Sequence, residues 1–208
     1  MNKEFRKVRA DDDLEKIAEL IYYTDNYIYP YWFENLENCK KELPELIKED
    51  KFFYNINNLY IATIDDQIVG LICVVDKETD LDYDYEKLRN KNERYRLTID
   101  KYISGMIEEV KKEDFAYISN VCVDQNYRGQ HIATFMLEKL KNIYVEKYYE
   151  KIFLEVLADN PSAIHLYEKM GFGKSGEIYN GFPGDDPSGK VDVIPMMIEE
   201  LQKEPRTK

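Results

Sequence analysis

The sequence predicts a mixed α/β fold with helices packed on a central sheet, and three stretches carry that expectation. An alternating run at residues 5–9 precedes a helical pattern, two strand-like runs flank Asp65-Asp66, and an apolar run at 115–123 leads through an amphipathic helix to a second apolar run at 152–157. Strand, helix, strand in that order is the crossover unit that makes parallel pairs, while the Asp-Asp turn makes an antiparallel one. The sheet is therefore expected to be mixed. With 208 residues and 44% apolar content the chain can bury one substantial core, and residues 1–208 read as a single domain.

Each element has a local reason. Asp11 to Asp13 supply a helix start, after which Leu14, Ile17, Ala18 and Ile21 recur at helical spacing. Residues 22–33 are dense in aromatics and broken by Pro30, and a second helix is expected at 39–48 with Pro44 as its weak point. The hairpin strands fall at 59–64 and 68–75. Residues 76–114 then form a long charged segment whose Tyr95, Ile99, Tyr102, Ile103, Met106, Ile107 and Val110 make an apolar helical stripe. Packing on the domain, a dimer face and a lid all remain open for that stripe. Beyond the 115–123 strand, Ala133, Met136, Leu137, Leu140, Ile143 and Tyr144 give the next helix its apolar face. Asn160-Pro161 is a helix start and Gly171 a stop, residues 181–189 form a long turn, and 191–198 a final strand.

Composition excludes several functions. The balance of 41 Asp and Glu against 29 Lys and Arg, a net charge of −12, argues against a nucleic-acid partner and favours cationic ones. Cys39, Cys73 and Cys122 are unclustered, and with only His131 and His165 besides there is no metal-ligand spacing, so no metal is expected. Residues 1–6 lack an apolar stretch, and the longest apolar run, 68–75, is too short to span a bilayer. A soluble, cytoplasmic protein without a membrane partner is expected, as monomer or homodimer. Two lookalikes fail on inspection: the first glycine of a P-loop ending in Gly173-Lys174-Ser175 would fall at Glu168, and a calcium loop from Asp80 would place Tyr85 at its turn glycine.

The chemistry lies in residues 121–172. Val121-Cys122-Val123, a short turn, and Arg128-Gly129-Gln130-His131-Ile132-Ala133 place a helix N-terminus at the end of a strand. Free N–H groups there attract a pyrophosphate, small residues let it approach, and Arg128 adds a fixed charge. The second block runs Asn160-Pro161-Ser162-Ala163-Ile164-His165-Leu166-Tyr167-Glu168-Lys169-Met170-Gly171-Phe172. Asn160 and Tyr167, two helical turns apart, return to nearly the same helix face.

Together these blocks resemble the GCN5-related N-acetyltransferases (GNAT), whose acetyl-CoA loop reads Arg/Gln-x-x-Gly-x-Gly/Ala and whose next block reads Asn-x-x-Ala-x-x-x-Tyr-x-x-x-Gly-Phe. The second block matches throughout. In the first, His131 stands where glycine is usual, so either the backbone there is ordinary helix or the cosubstrate sits less closely. The resemblance implies the GNAT fold: a mixed sheet of about six or seven strands, flanked by helices, whose central strands at 115–123 and 152–157 splay to admit acetyl-CoA, with residues 76–114 as a charged helical insertion. It implies that Val121, Cys122, Val123, the loop Arg128, Gly129, Gln130, His131, Ile132 and Ala133, and Asn160 and Tyr167 bind the cosubstrate. Tyr167 would aim its hydroxyl at the thioester sulfur. Glu155, in a Leu-Glu-Val strand, resembles the proposed base of the ribosomal-protein N-terminal acetyltransferases, with Asn120 and backbone-held water as other candidates. The aromatic residues 22–33 would wall the acceptor site or simply pack as a core cluster. The function implied is acetyl transfer from acetyl-CoA to a primary amine of a small molecule or a peptide terminus. A catalytically inactive CoA-binding regulatory module is the rival reading.

Overall fold

The computed structural model describes residues 2–83, 108, 110, 112, 115–180 and 192–201. Its elements are β1 (Lys3–Lys7), α1 (Leu14–Tyr22), α2 (Ile28–Phe33), α3 (Leu36–Ile47), β2 (Leu59–Ile64), β3 (Gln67–Val75), β4 (Phe115–Val123), α4 (Ile132–Glu146), β5 (Lys151–Leu157), α5 (Pro161–Lys169), β6 (Gly173–Lys174), β7 (Tyr179–Asn180) and β8 (Asp192–Ile198). They build one eight-stranded sheet in the order β1-β2-β3-β4-β5-β8-β6, with β7 also on β8. Six strands are long and two have two residues, which accords with the six or seven expected. The β4–β5 pair is parallel and its neighbours are antiparallel, because α4 carries the chain back across the sheet between them.

Local chemistry sets the element ends. Asp13 and Asn35 accept the N–H groups of Lys16 and Asn38 at 2.9 Å and 2.9 Å, capping α1 and α3. Asp65 and Asp66 both take positive φ, 48° and 67°, as a two-residue hairpin turn requires, and aspartate tolerates this better than most side chains. Neither proline breaks its helix. Pro30 sits in the first turn of α2, where its missing N–H has no helical acceptor in any case, and Pro44 lies buried within α3, which runs on to Ile47. That helix also starts three residues before the expected 39, and β1 lies two residues before the expected 5–9.

The sheet separates two cores. Ile17, Ile21, Trp32, Phe33, Leu43, Ile47, Phe115 and Tyr117 pack on the α1–α3 side, and Ile72, Ala116, Ile118, Met136, Leu140, Leu154 and Met196 pack on the α4 side. Residues 76–114 leave at the end of β3 and rejoin at the start of β4. Val110 of the expected stripe is buried; the rest of the stripe, Tyr95 to Ile107, and the 181–189 turn lie outside the described residues. No helix among the described residues is long and apolar enough to cross a membrane.

Arg6 fixes the turn from β1 into α1. Its guanidinium donates to both oxygens of Asp12, at 2.8 and 2.7 Å, and the Arg9 N–H donates to the same carboxylate at 2.7 Å. This fork holds the Asp12 carboxyl below its usual pKa, the Arg6 hydrogen bonds being the largest cause. A depressed folded-state pKa stabilises the fold above the unfolded value, about 3.9, and that stabilisation disappears as pH falls through the folded value. Asp12→Asn is expected to cost about 1–2 kcal/mol in urea unfolding at neutral pH. The gap between variant and parent should narrow as pH falls below the unfolded value of about 3.9 and close once Asp12 is protonated in the folded state; a gap independent of pH would show that the ion pair contributes nothing.

Candidate active site

The parallel ladder between β4 and β5 joins only Phe115–Ile118 to Lys151–Leu154. Both strands run on past it, β4 along β3 as far as Val123 and β5 along β8 as far as Leu157. The two strands therefore part in mid-sheet. Asp124 and its strand set the direction of the freed backbone: the Asp124 N–H bonds Val69 O on β3 at 2.9 Å, so by alternation Cys122 also faces β3, while the N–H and C=O of Val121 and Val123 face the opening. A cavity of about 130 Å³ lies there. It passes through the sheet, lined by Tyr117, Asn120 and Glu155 toward the α1–α3 side and by Val121, Val156 and Tyr167 toward the α4 side.

A β-bulge determines which side chains enter this cavity. Cys73 of β3 pairs with Asn120 and Val74 with Ile118, leaving Ser119 as an extra residue on β4. Before the bulge, Phe115 and Tyr117 belong to the α1–α3 core; after it, the even-numbered Cys122 does. The extra residue turns Asn120 toward α1 and α2, where its Nδ2 donates to Thr24 Oγ1 at 2.7 Å and Tyr29 Oη at 2.6 Å. Nothing in the sequence marks this inversion, so Tyr117 and Ser119 escaped sequence reasoning, whereas Thr24 falls within the 22–33 segment already singled out. Within the aromatic segment, Tyr29, Trp32 and Phe33 are core residues, and Tyr29 and Trp32 also line the cavity.

The loop after β4 leads into a helix N-terminus with open N–H groups, the chemistry of an anion site. Asp124 accepts Lys16 Nζ at 2.5 Å and the Asn126 N–H at 2.8 Å, anchoring the loop to α1 and starting a 3-10 turn at Gln125–Tyr127. Gly129 follows with φ +76° and His131 with φ +59°. The backbone at His131 is thus left-handed and not ordinary helix, which accounts physically for glycine being usual there. The first helical hydrogen bond of α4 runs from Phe135 N to His131 O, so the N–H groups of Ile132, Ala133 and Thr134 have no helical acceptor. No side chain caps this terminus, unlike α1, α3 and α5, and its first turn holds no acidic residue, unlike α1 and α3. Arg128, Gly129, Gln130 and His131 are exposed, Ala133 is half-buried, and the Ile132 side chain is core, leaving only its main chain for binding. Arg128 Nε donates to Val123 O at 3.4 Å.

The remaining expected residues converge on the cavity. Asn160 caps α5 by accepting the Ala163 N–H at 3.1 Å, and Gly171, φ +93°, ends the helix four residues after Tyr167. Tyr167 is buried, and its hydroxyl has no hydrogen-bond partner among the described residues; burial, with the nearby Cys122 thiol, pushes its pKa well above the ordinary tyrosine value. Glu155 accepts from Tyr117 Oη at 3.0 Å. Burial pushes the Cys122 thiol up to about 11, so at neutral pH it is no thiolate nucleophile. Cys122 turns its side chain to the α1 side, in a separate recess with Val123 and Arg128. Among the described residues no group of His, Cys, Asp or Glu has the arrangement to hold a metal.

The sequence that builds the parted strands, the uncapped helix and the tyrosine-bearing helix matches the model of the acetyltransferase (GNAT) family over residues 22–172. The chain belongs to that family. It is 31% identical over 112 residues, 52% of this chain and 74% of that protein, to the [ribosomal protein bS18]-alanine N-acetyltransferase of Escherichia coli K12. It is 24% identical over 186 residues, 89% of each chain, to an N-alpha-acetyltransferase of Saccharolobus solfataricus. The fold is shared with an N-acetyltransferase from Staphylococcus aureus Mu50, with a TM-score of 0.67 at 20% identity, covering 94% of this chain and 100% of that one. The protein is accordingly an N-acetyltransferase of the GNAT family that takes its acetyl group from acetyl-CoA.

His131→Gly should relieve the left-handed strain of this GNAT loop and stabilise the fold by up to about 1 kcal/mol in urea unfolding, the gain being limited by the entropy of the added glycine. A lowered midpoint would mean that the imidazole makes contacts worth more than the strain.

Proposed function

We propose that this acetyltransferase acetylates the α-amine at a peptide or protein N-terminus, with a cationic small amine as the second-ranked acceptor. The observation that carries the proposal is the cavity through the sheet. Its described lining includes two carboxylates, Asp25 and Glu155, and no Lys, Arg or His, a charge pattern that favours a cationic acceptor. Burial and nearby Asp159 raise the Asp25 pKa despite N–H bonds from Tyr27 and Ile28, as expected of a carboxylate awaiting a positive partner. The N-terminal acetyltransferases among its relatives support the peptide reading, as does the proton balance. An α-amine of pKa near ~8 must give up about 1.4 kcal/mol of protonation preference at neutral pH, against about 4 to 5 for a lysine-like amine near ~10.4. The single sheet from Lys3 to Ile198 supports treating the chain as one catalytic domain, and a cytoplasmic setting suits its three free, buried cysteines.

The residues divide the chemistry. Bound acetyl-CoA supplies an activated thioester carbonyl. The open N-terminus of α4, with Arg128 beside it, holds the pyrophosphate. Asn160 meets the pantetheine arm through its remaining amide N–H groups. Val121 and Val123 offer main-chain N–H groups to that arm and to the carbonyl oxygen, where negative charge develops as the amine attacks. Glu155 takes the proton from the amine. Tyr167 keeps its own: a tyrosine near ~10 is already a weaker acid than a thiol near ~8.5, by roughly 2 kcal/mol, and burial widens that gap. Its hydroxyl therefore stabilises the departing sulfur by a hydrogen bond rather than by full transfer.

Turnover of acetyl-CoA against short peptides with free N-termini, polyamines and acidic amino acids tests the proposal. Peptides should be preferred, and a preference for glutamate or aspartate would overturn it. Tyr167→Phe should lower kcat by about tenfold or more while leaving acetyl-CoA affinity within about twofold, because the bond forms only as charge reaches sulfur. An unchanged kcat would leave Tyr167 as packing. Glu155→Gln should depress the rate by about tenfold, most strongly at low pH where free amine is scarce. A loss independent of pH would assign the base elsewhere.

A further inference from the structure

The cavity wall is held by a buried hydrogen-bond network that acetyl transfer as described does not use. Asn120, Tyr29 and Tyr54 are 5%, 3% and 5% exposed. The Asn120 amide is committed on both sides: Nδ2 donates to Thr24 Oγ1 at 2.7 Å and to Tyr29 Oη at 2.6 Å, and Oδ1 accepts from Ser119 Oγ at 2.7 Å. Thr24 Oγ1 donates in turn to Ile21 O at 2.6 Å, and Tyr29 Oη lies 2.7 Å from Tyr54 Oη. Four pieces of chain thus meet in one network: the bulge of β4, the end of α1, α2, and, through Tyr29, the segment before β2.

Two features make this more than a buried polar cluster. Thr24, Tyr29, Tyr54, Ser119 and Asn120 all line the cavity, so the network is the wall against which the acceptor rests. Asn120 is also the residue before Val121, whose N–H faces the same opening. An amide that holds the acceptor wall with its side chain, next in sequence to the group that meets the acetyl carbonyl, sets the distance between the two reactants. Such an amide has no basicity to take a proton, and its two N–H groups are already donated.

We propose that Asn120 is a positioning residue for acetyl transfer, keying the α1–α2 wall to the β-bulge so that the amine meets the thioester carbon at a fixed distance and angle. The proposal rests on the acetyltransferase reading of this cavity. Tyr29 is the main partner; burial pushes its pKa upward, so it stays neutral and the network holds its hydrogen-bonding pattern across the working pH range. Misplacing reactants by even about 1 Å costs on the order of a hundredfold in rate, so loosening this wall should be felt in kcat although neither Asn120 nor Tyr29 touches the reacting atoms.

A double-mutant cycle tests it, using acetyl-CoA and a short peptide with a free N-terminal alanine. Asn120→Ala and Tyr29→Phe should each lower kcat by about tenfold or more, with acetyl-CoA affinity by calorimetry unchanged within about twofold. The double variant should be scarcely worse than Asn120→Ala alone, since both remove one interaction. Thr24→Ser, which keeps the hydroxyl, should retain activity that Thr24→Val loses. If Asn120→Ala does not fold, Tyr29→Phe and Thr24→Val form the cycle in its place, because each removes one acceptor and leaves the amide standing. Additive losses, or variants with lower thermal midpoints but unaltered kcat, would overturn the positioning role while leaving the function intact. Failure of the unaltered protein to acetylate the peptide would instead overturn the proposed function.

Discussion

The rest of the site depends on the early end of the β4–β5 ladder. A parallel pair that ran its full length would satisfy the main chain of Val121 and close the sheet. By stopping at Ile118 and Leu154, it leaves polar main chain facing a gap that an amide-bearing arm can fill in the manner of a missing strand. Each strand keeps its outer partner, β3 for β4 and β8 for β5. The gap is therefore flanked by ladders that hold each strand on its outer side.

Around this gap, the two faces of the sheet take separate tasks. On one face α4 brings unpaired N–H groups, and α5 brings Tyr167 between its Asn160 cap and its glycine stop. On the other, α1 and α2 bring a polar and aromatic wall, with Glu155 projecting from the far strand. Lys16 links the two, since it reaches from α1 to Asp124 at the head of the loop before α4. Such an ion pair is partly exposed and contributes little to overall stability. Its value lies in register between a helix of one layer and a loop leading to the other.

Much of this was legible in the sequence. The hairpin at Asp65-Asp66, the limits of β4, the cap at Asn160 and the stop at Gly171 follow from residue chemistry acting over a few positions. The two prolines were misread because a breaker's effect depends on its place within the helix, and the place was set by tertiary packing that started α3 at Leu36 and brought α2 into existence at all. The left-handed backbone at His131 was invisible for a related reason: histidine gives no sign of positive φ, and only the conformation explains the rarity of side chains there. The bulge at Ser119 left no trace either. Alternation read along residues 115–123 gives Asn120 to the face that also holds Ile118, and one extra residue, detectable only against β3, reverses that.

The antiparallel run of β3 along β4 fixes where residues 76–114 join the body of the protein, at Phe115, the end of β4 remote from Val123. Val121 lies six residues, about 20 Å, along that strand from the junction. Length and composition can therefore change at the junction without altering the spacing among Val121, Glu155 and Tyr167. For the same reason the junction is a place to graft a reporter or an affinity handle without cutting into the parted stretch of β4.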